Sequence, residues 1–510
     1  MRKLIFLVII KLIFLSPSYS QNIVQTIKGT VSDRETGAPL PGANISILNS
    51  DPLIGTIADS NGKFSLVTAT GRVSVKISYM GYEDLLLKEV LVTSGRAVVI
   101  SAGLQEKVTE TREVIIRPGE KDVPYISQMA AVSTNTLRTE DALHYAGGFY
   151  DPSRIVNAFA GVATANSDDS NDLIIRGNSP RGLLWRLEGV EIPNPNHFSS
   201  GMGGSGGAFC AITSNVIDNF DFFTGAFPAE YGNAFSGVMD LNLRRGNTGT
   251  REYAFQTGMI GAEIAAEGPF SKKAEASYLF NARYTNFKIL SDLELIDLGE
   301  INYSPRTKDV VFNVFLPTEK YGNFNLFGLY GASSLDKVAE HDFSKWTTTS
   351  DRWEEMEEQS SVTLGLKHYY VIPGGKTYIR SVLAYSSFSD YYHEGYIDSS
   401  YVLTDSYYYD YKYPSIRYSL TANHKFNARH SLRAGFNYNY MSGDMANYKM
   451  NSTGIFDTLV ATHDEATTLQ SHVQWKYRTP AGLEINTGIH LLNFSLNGET
   501  SIEPRIGLRL

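Results

Sequence analysis

Residues 251–510 alternate between apolar and polar side chains with a period of two, and this pattern limits the fold more than any other feature. In 432–440 and 483–491, mostly apolar residues take every second position, and Arg, Asn, Glu, Gly or His fill the others. Successive side chains of a β-strand point to opposite faces, so each segment has one apolar and one polar face. Soluble sandwiches alternate in the same way, so this pattern alone predicts only β-sheet.

The connections between these segments are more specific than the segments themselves. We predict tight turns at 268–273, 317–322, 373–375, 427–430 and 480–482, and long polar loops at 287–306, 333–359, 389–412 and 442–465. Outer-membrane barrels have this rhythm, with short periplasmic turns and longer extracellular loops. The alternation and the rhythm together therefore predict a transmembrane β-barrel.

The first twenty residues have the layout of a secretory signal peptide. Arg2 and Lys3 precede the apolar run Leu4–Leu15, and the small residues Ser18 and Ser20 follow. About twelve apolar residues are too few to cross a bilayer, which favours a signal at 1–20 over a membrane anchor. No later segment approaches the roughly 18 apolar residues of a spanning helix. If the exported protein spans a membrane, it must therefore do so as a closed barrel.

Residues 25–105 predict a small β-sandwich. Turn residues such as Asp59-Ser60-Asn61-Gly62 separate short strands, and Val73, Val75 and Ile77 alternate with polar residues. The segments KGTVSDRETGAPLPGANISI, GTIADSNGKFSL and VKISYMGYED resemble the carboxypeptidase-regulatory-like domain, which is a transthyretin-like sandwich. The resemblance implies an accessory module. It does not imply protease activity, because the chain has no HExxH zinc motif.

Residues 124–247 mix helix and strand patterns and resemble a plug domain. The segments NDLIIRGNSPRGLLWRLEGVEIPNPNHF and FFTGAFPAEYGNAFSGVMDLNLRRG are similar to the plug of TonB-dependent outer-membrane receptors. The residues that carry this plug motif are Arg176, Gly177, Glu188, Gly189, Tyr231 and Gly232. The resemblance also implies outward-pointing loops at 163–171 and 193–207, with His197 and Phe198 as candidate ligand contacts in the second.

A charged connector at 106–123 holds an isolated β-prone run, Glu113-Val114-Ile115-Ile116, before Pro118. By composition alone this run is either a plain linker or a strand that pairs with the sheet edge of another protein. The order of sandwich, connector, plug and barrel matches one branch of the receptor family. In that context Glu113, Val114, Ile115 and Ile116 resemble a TonB box, the segment that couples a receptor to the inner-membrane TonB complex.

The fold class we predict is mainly β. It comprises a transthyretin-like sandwich, an α+β plug domain, and roughly the first half of an outer-membrane β-barrel at 248–510. About eleven or twelve strands are visible in the pattern, whereas plugged transporters close at about 22. We therefore expect the chain to stop within the barrel, with an open sheet whose last strand has an unpaired edge at 506–510.

Several further patterns carry little chemistry. His341-Asp342 and His463-Asp464 lie in predicted polar loops and are better explained as solvated residues than as metal ligands. The glycine-rich 201–206 formally fits GxGxxG but follows no strand, so we predict no dinucleotide or other cofactor. No nucleophile and base stand together, which argues against an enzyme. The net charge of −9 is spread along the chain, and nothing suggests a nucleic-acid partner, which would need a clustered basic face.

Tyrosines cluster strongly between 391 and 413. They have two readings, an aromatic girdle at the membrane interface or a surface that stacks on a ligand, and the girdle is favoured because it needs nothing beyond the barrel.

The function we predict from these features is TonB-energised uptake of a scarce nutrient across the outer membrane. The expected partners are the inner-membrane TonB complex, outer-membrane lipid and a small ligand, and a surface lipoprotein is a further candidate. Siderophore, cobalamin, oligosaccharide and peptide all stay open as ligands. The alternative is a non-transporting, β-rich cell-envelope adhesin or scaffold in which the sandwich does the binding.

Overall fold

The computed structural model describes residues 23–95, 97–108, 129, 133–138, 151–164, 170–199, 204–258, 261–271, 275–287, 305–318 and 320–510. The secretory signal at 1–20 and the TonB-box-like segment at 113–116 lie outside the described residues, so both stay predictions. None of the described helices is long and apolar enough to cross a membrane.

The N-terminal sandwich consists of two sheets around one apolar core. Its strands are β1 (Val24–Asp33), β2 (Asn44–Ile47), β3 (Gly55–Ile57), β4 (Lys63–Ala69), β5 (Gly71–Ser78), β6 (Leu85–Val92) and β7 (Val98–Leu104). One sheet has the order β4-β1-β7 and the other β3-β2-β5-β6. Ile27, Ile45 and Ile77 are fully buried between them. Buried residues recur at every second position along a strand, as at Ile45 and Ile47 of β2, so one face of the sheet lies in the core.

The plug domain is built on a five-stranded sheet with the order β12-β11-β16-β15-β8. Its elements are β8 (Thr134–Arg138), α1 (Pro152–Val156), β9 (Val162–Thr164), β10 (Leu173–Ile175), β11 (Leu183–Leu187), β12 (Val190–Glu191), β13 (Asn196–His197), β14 (Phe209–Cys210), β15 (Ile217–Phe223) and β16 (Gly237–Leu243). Two 3-10 turns, Pro180–Gly182 and Ser214–Val216, precede β11 and β15. The Asp151 side chain caps α1 by accepting from the Ser153 amide at 2.8 Å.

Twelve antiparallel strands form the barrel sheet, in chain order. They are β17 (Glu252–Thr257), β18 (Gly261–Pro269), β19 (Ser277–Asn286), β20 (Arg306–Thr318), β21 (Gly322–Lys337), β22 (Trp353–Val371), β23 (Thr377–Ile397), β24 (Leu403–Lys425), β25 (His430–Met450), β26 (Phe456–Arg478), β27 (Glu484–Phe494) and β28 (Thr500–Arg509). Among the described residues, β17 pairs only with β18 and β28 only with β27. The sheet is open, as we predicted, and the mainly β fold class is confirmed.

The two faces of the barrel sheet differ as the alternation predicted. Leu364, Leu383 and Val473 point outward and are about half exposed, whereas Thr363, Gln474 and Lys476 point inward and are buried. The inward face packs against the plug: β12 contacts β24, and β13 contacts β21. Polar side chains therefore line the lumen, and apolar ones face lipid.

Two of the four predicted long loops, 389–412 and 442–465, are largely strands in the structure. β23 and β24 pair as far as Ile397 and Leu403, and β25 and β26 as far as Met450 and Phe456. His463 consequently lies on β26 and not in a loop, with its ring 2.6 Å from the Asp444 carboxylate across the sheet. The prediction failed because the polar composition of these segments hid β-prone Tyr and Thr residues whose cross-strand pairs extend the hairpins.

Candidate functional site

The plug motif forms two sharp turns at the ends of plug strands. Arg176 and Glu188 both have positive φ angles, 51° and 54°, and each is followed by a glycine with positive φ. Such backbone is costly for residues with a Cβ unless the surroundings hold it. The Arg176 guanidinium is held by the Ser133 hydroxyl at 2.9 Å and the Thr224 hydroxyl at 3.3 Å. Arg176 and Gly177 therefore shape the plug itself.

Glu188 connects the plug to the barrel wall. One carboxylate oxygen accepts from the Leu243 amide at 2.6 Å, and the other pairs with Lys367 of β22. The side chain is buried. A buried carboxylate is stable only when its oxygens are satisfied, and here one partner is in the plug and the other in the wall. The Glu188-Gly189 turn is thus a point of attachment between the two domains.

A buried charge cluster lies beside Tyr231. The Glu230 carboxylate is 2.6 Å from Arg433 of β25 and 3.9 Å from Arg380 of β23. Burial by itself raises the pKa of Glu230, but the charges of Arg433, Arg186 and Arg380 outweigh it and lower the pKa to about 2. Glu230 is therefore ionised at neutral pH and is held by cations of both domains.

Side chains of the last four strands, β25 to β28, hold the segment 227–232. Arg505 of β28 donates to the carbonyl oxygens of Phe227 and Pro228 at 3.1 Å and of Tyr231 at 2.7 Å. Gln474 accepts from the Ala229 amide at 2.8 Å. A side chain at position 232 would collide with His490 and Gln470, so Gly232 permits this close approach.

The candidate ligand residue His197 rests on the barrel wall. Its ring nitrogen lies 2.5 Å from the Asp309 carboxylate of β20, which also binds Arg283 at 2.7 Å. Only 3% of its surface is exposed, whereas Phe198 is partly exposed. Residues 200–203 of this loop lie outside the described part. His197 has the contacts of an anchor between plug and wall, and a ligand role for His197 and Phe198 stays a prediction.

A row of tyrosines faces the lumen on the side of the plug away from the short turns. Gln359 of β22 contacts Ser199 of the plug through two hydrogen bonds, of 2.9 and 2.7 Å, which identifies its face as the inner one. Gln359 pairs with Asp390 and Asp390 with Tyr411, and paired residues share a face. The inward tyrosines, here called the tyrosine wall, are Tyr392, Tyr407, Tyr409, Tyr411 and Tyr413. Tyr391 and Tyr408, one position away, point outward.

The tyrosine wall is an ordered surface. The rings of Tyr409 and Tyr411 stack with centroids 4.7 Å apart, and those of Tyr392 and Tyr409 with centroids 5.5 Å apart. The Asn447 amide donates to the hydroxyls of Tyr407 and Tyr411, each at 3.0 Å. The wall therefore presents oriented phenol groups to the lumen, so the girdle reading is wrong for these five tyrosines.

Sequence reasoning missed both the charge cluster and the orientation of the tyrosines. Glu230 precedes the plug motif residue Tyr231, and Arg433 was already assigned to the polar face of its strand. These signals were present, but nothing in the sequence pairs two residues so far apart in the chain. Within the described residues, no group of three or more His, Cys, Asp or Glu side chains is arranged to hold a metal ion.

Comparison with known proteins agrees with this architecture. A family model of the CarboxypepD_reg-like domain matches residues 27–116. The TonB-dependent receptor P39 of Formosa agariphila is 27% identical over 239 residues, which cover 45% of this chain and 20% of that receptor. The chain thus spans about a fifth of the length of this curated relative.

Solved structures share the fold at low sequence identity. The outer membrane transporter YddB of Escherichia coli superposes with a TM-score of 0.52 and 11% identity, over 73% of this chain and 58% of that one. The siderophore receptor PirA of Acinetobacter baumannii gives a TM-score of 0.50 and 14% identity, over 74% and 59%. The chain has the fold of these outer-membrane proteins.

Proposed function

We propose that this chain, an outer-membrane receptor of the TonB-dependent type with an N-terminal carboxypeptidase-regulatory-like domain, takes up a scarce nutrient in an energised, ligand-gated manner. The observation that carries the proposal is the plug, which is anchored by buried ion pairs to the inner face of a barrel sheet with an aromatic wall beyond it. In our proposal, a ligand captured at the wall crosses the barrel only after the plug has been displaced.

Energy must come from outside the barrel, because the outer membrane has no ATP. In our proposal, residues 113–116 add as a strand to the sheet of the inner-membrane TonB complex, and backbone hydrogen bonds hold the two together. Force along the connector then reaches the plug. The ionic contacts of Glu188 and Glu230 with the wall are the barrier that this force has to overcome.

The chemistry of the lumen restricts the ligand. Phenol hydroxyls donate and accept hydrogen bonds, and tyrosine rings stack on flat or apolar surfaces. Glu357 and Asp390 lie on the same inner face, and Lys337 is bound to Glu355 at 2.9 Å. Like charges across an interface disfavour the wrong partner. The wall therefore suits an uncharged or cationic ligand with many hydrogen-bonding groups better than a polyanion.

Two measurements test the proposal against the adhesin alternative. Heat-modifiable migration and trypsin resistance in outer-membrane fractions are expected of a barrel and not of an adhesin stalk. Growth of a deletion strain should then be compared with that of the complemented strain on limiting iron chelates, cobalamin, oligosaccharides and peptides. A growth defect on one nutrient, reproduced in the complemented strain by a protonophore, supports energised import. Equal growth on all four classes would contradict it.

The tyrosine wall is expected to contribute to ligand affinity. Tyr409→Ala removes a ring that stacks on both Tyr392 and Tyr411, so we expect the Kd to rise about tenfold, or about 1.4 kcal/mol. The matched control is Tyr408→Ala on the outer face of the same strand, which should leave the Kd unchanged. Titration calorimetry with the nutrient from the growth screen measures both. Equal affinity in the two variants would remove the wall from the binding site.

A further inference from the structure

One acidic turn of the sandwich, Asp33–Gly37, follows β1 and packs against the barrel sheet. The Asp33 carboxylate accepts from the amides of Glu35 at 2.8 Å and Thr36 at 2.9 Å, and the Gly37 amide closes the turn on the Asp33 carbonyl at 2.8 Å. The turn is therefore stiff before it meets the barrel. Its two carboxylates, Asp33 and Glu35, are buried at its tip.

Two lysines of the barrel form ion pairs with these carboxylates. Lys425 of β24 pairs with Asp33 and lies 3.9 Å from Glu35, and Lys476 of β26 lies 3.5 Å from Glu35. The Asn423 amide donates to the Glu35 carbonyl at 2.6 Å. Both lysine side chains are almost completely buried, with 7% and 3% of their surface exposed. Buried charges of this kind are stable only while they are paired.

The contact lies inside the lumen, directly beside the plug. Lys425 pairs with Ser431, and Ser431 pairs with Lys476, so the two lysines share the inner face at the ends of their strands near the short turns. The adjacent inward row holds Asn423, Arg433 and Gln474, and the last two of these bind the plug. The acidic turn consequently lies at the periplasmic end of the barrel sheet, one row of inward side chains away from the residues that bind the plug.

The charge state of the turn favours this contact at neutral pH. Burial raises the pKa of Asp33, but the charge and hydrogen bond of Lys425 outweigh it and hold the pKa below its ordinary value. A carboxyl with a lowered folded-state pKa stabilises the folded form above its unfolded pKa. That contribution is lost only as the pH falls through the folded value. The contact is therefore at full strength in a neutral periplasm.

We propose that the Asp33–Gly37 turn is a periplasmic latch. The latch closes the periplasmic exit beneath the plug. The force on the connector that displaces the plug also releases the latch. Glu106, just after β7, ties the latch to the connector: its carboxylate pairs with Lys425 at 2.8 Å, and its carbonyl accepts from Arg478 at 2.8 Å. The TonB-box-like segment begins a few residues later, so force on the connector loads Glu106 and Lys425 directly. This inference rests on the proposed function for its trigger.

Force spectroscopy on the full chain in a supported bilayer tests the latch without a ligand or TonB. A biotin acceptor peptide inserted after Thr111 provides the handle, so a failure of TonB binding cannot be confused with a failure of the latch. We expect an early rupture event before the plug extends. Asp33→Asn combined with Glu35→Gln should abolish the early event and leave the plug event in place. Glu275→Gln, which removes an exposed pair with Lys63 at the same interface, is the matched control and should leave both events.

A cross-link provides the opposite perturbation. A Cβ at Gly375 would lie 3.4 Å from that of Ala38, close to disulfide geometry. The oxidised Ala38→Cys, Gly375→Cys variant should lose the early rupture, and reduction should restore it. An early event that persists in the acidic-turn double variant, or in the oxidised cross-linked chain, would overturn the latch. The uptake proposal would be untouched by that result.

Discussion

Glu230→Gln is expected to destabilise the seating of the plug more than any single change to its cationic partners. The substitution removes the carboxylate that Arg433 and Arg380 share, whereas Arg186 also pairs with Asp240 at 3.6 Å. Removing one partner of a buried ion pair costs about 3–5 kcal/mol. Arg433→Met should cost roughly half as much, because Arg380 still faces Glu230.

Urea titration of the full chain in outer-membrane vesicles measures the difference. Tryptophan fluorescence reports the plug through Trp185, whose side chain is buried in the plug core. Asp410→Asn breaks an exposed pair with Lys412 and serves as the control, with an expected change below about 1 kcal/mol. If Arg433→Met proved more damaging than Glu230→Gln, the idea of one carboxylate neutralising several cations would be wrong.

Ile115→Pro is expected to reduce energised uptake to the level of de-energised cells while ligand binding is retained. Proline removes a backbone donor and is excluded from a strand that pairs on its hydrogen-bonding edge. If the segment 113–116 adds to the TonB sheet, its contribution comes from backbone hydrogen bonds, and one proline breaks the ladder. Ile115→Val keeps both the donor and the β preference and should import normally.

Uptake and binding need separate measurements for this variant. Accumulation of the nutrient from the growth screen reports transport. Capture of the full chain by the periplasmic domain of TonB reports coupling, and it can be measured before the ligand is known. Normal uptake and normal capture in the Ile115→Pro chain would show that the coupling segment lies elsewhere in the connector.

The fold was largely predictable because period-two alternation is a local property. Trp475 and Lys476 are neighbours in sequence, and their opposite chemistry was enough to assign one to lipid and the other to the lumen. The turn at Gly374 and Gly375 was equally local, since both residues take positive φ angles that favour glycine.

The candidate site was less predictable because its parts are non-local. Alternation predicts that Tyr409 and Tyr411 share a face of the sheet. A tyrosine suits either the lipid face or the lumen face, because its ring is apolar and its hydroxyl is polar. Only the contact of Gln359 with the plug identifies their face as the inner one. His197 was expected in an open vestibule, and only the position of Asp309 on a distant strand shows that the ring has a partner in the wall. The pairing of Glu230 with Arg433 depends on the same kind of contact.

The long paired hairpins bear on the heat and entropy of ligand capture. The strands β23 to β26 contain 21, 23, 21 and 23 residues, whereas a strand needs about 9–11 to cross a membrane. About half of each therefore stands beyond the lipid with its backbone already hydrogen-bonded. Ordering a flexible loop costs about 1–2 kcal/mol per residue in backbone entropy. The hairpins are ordered before a ligand arrives, so binding to them does not include this entropy cost. The heat-capacity change on binding should consequently match the ligand surface buried, with no added contribution from a folding loop.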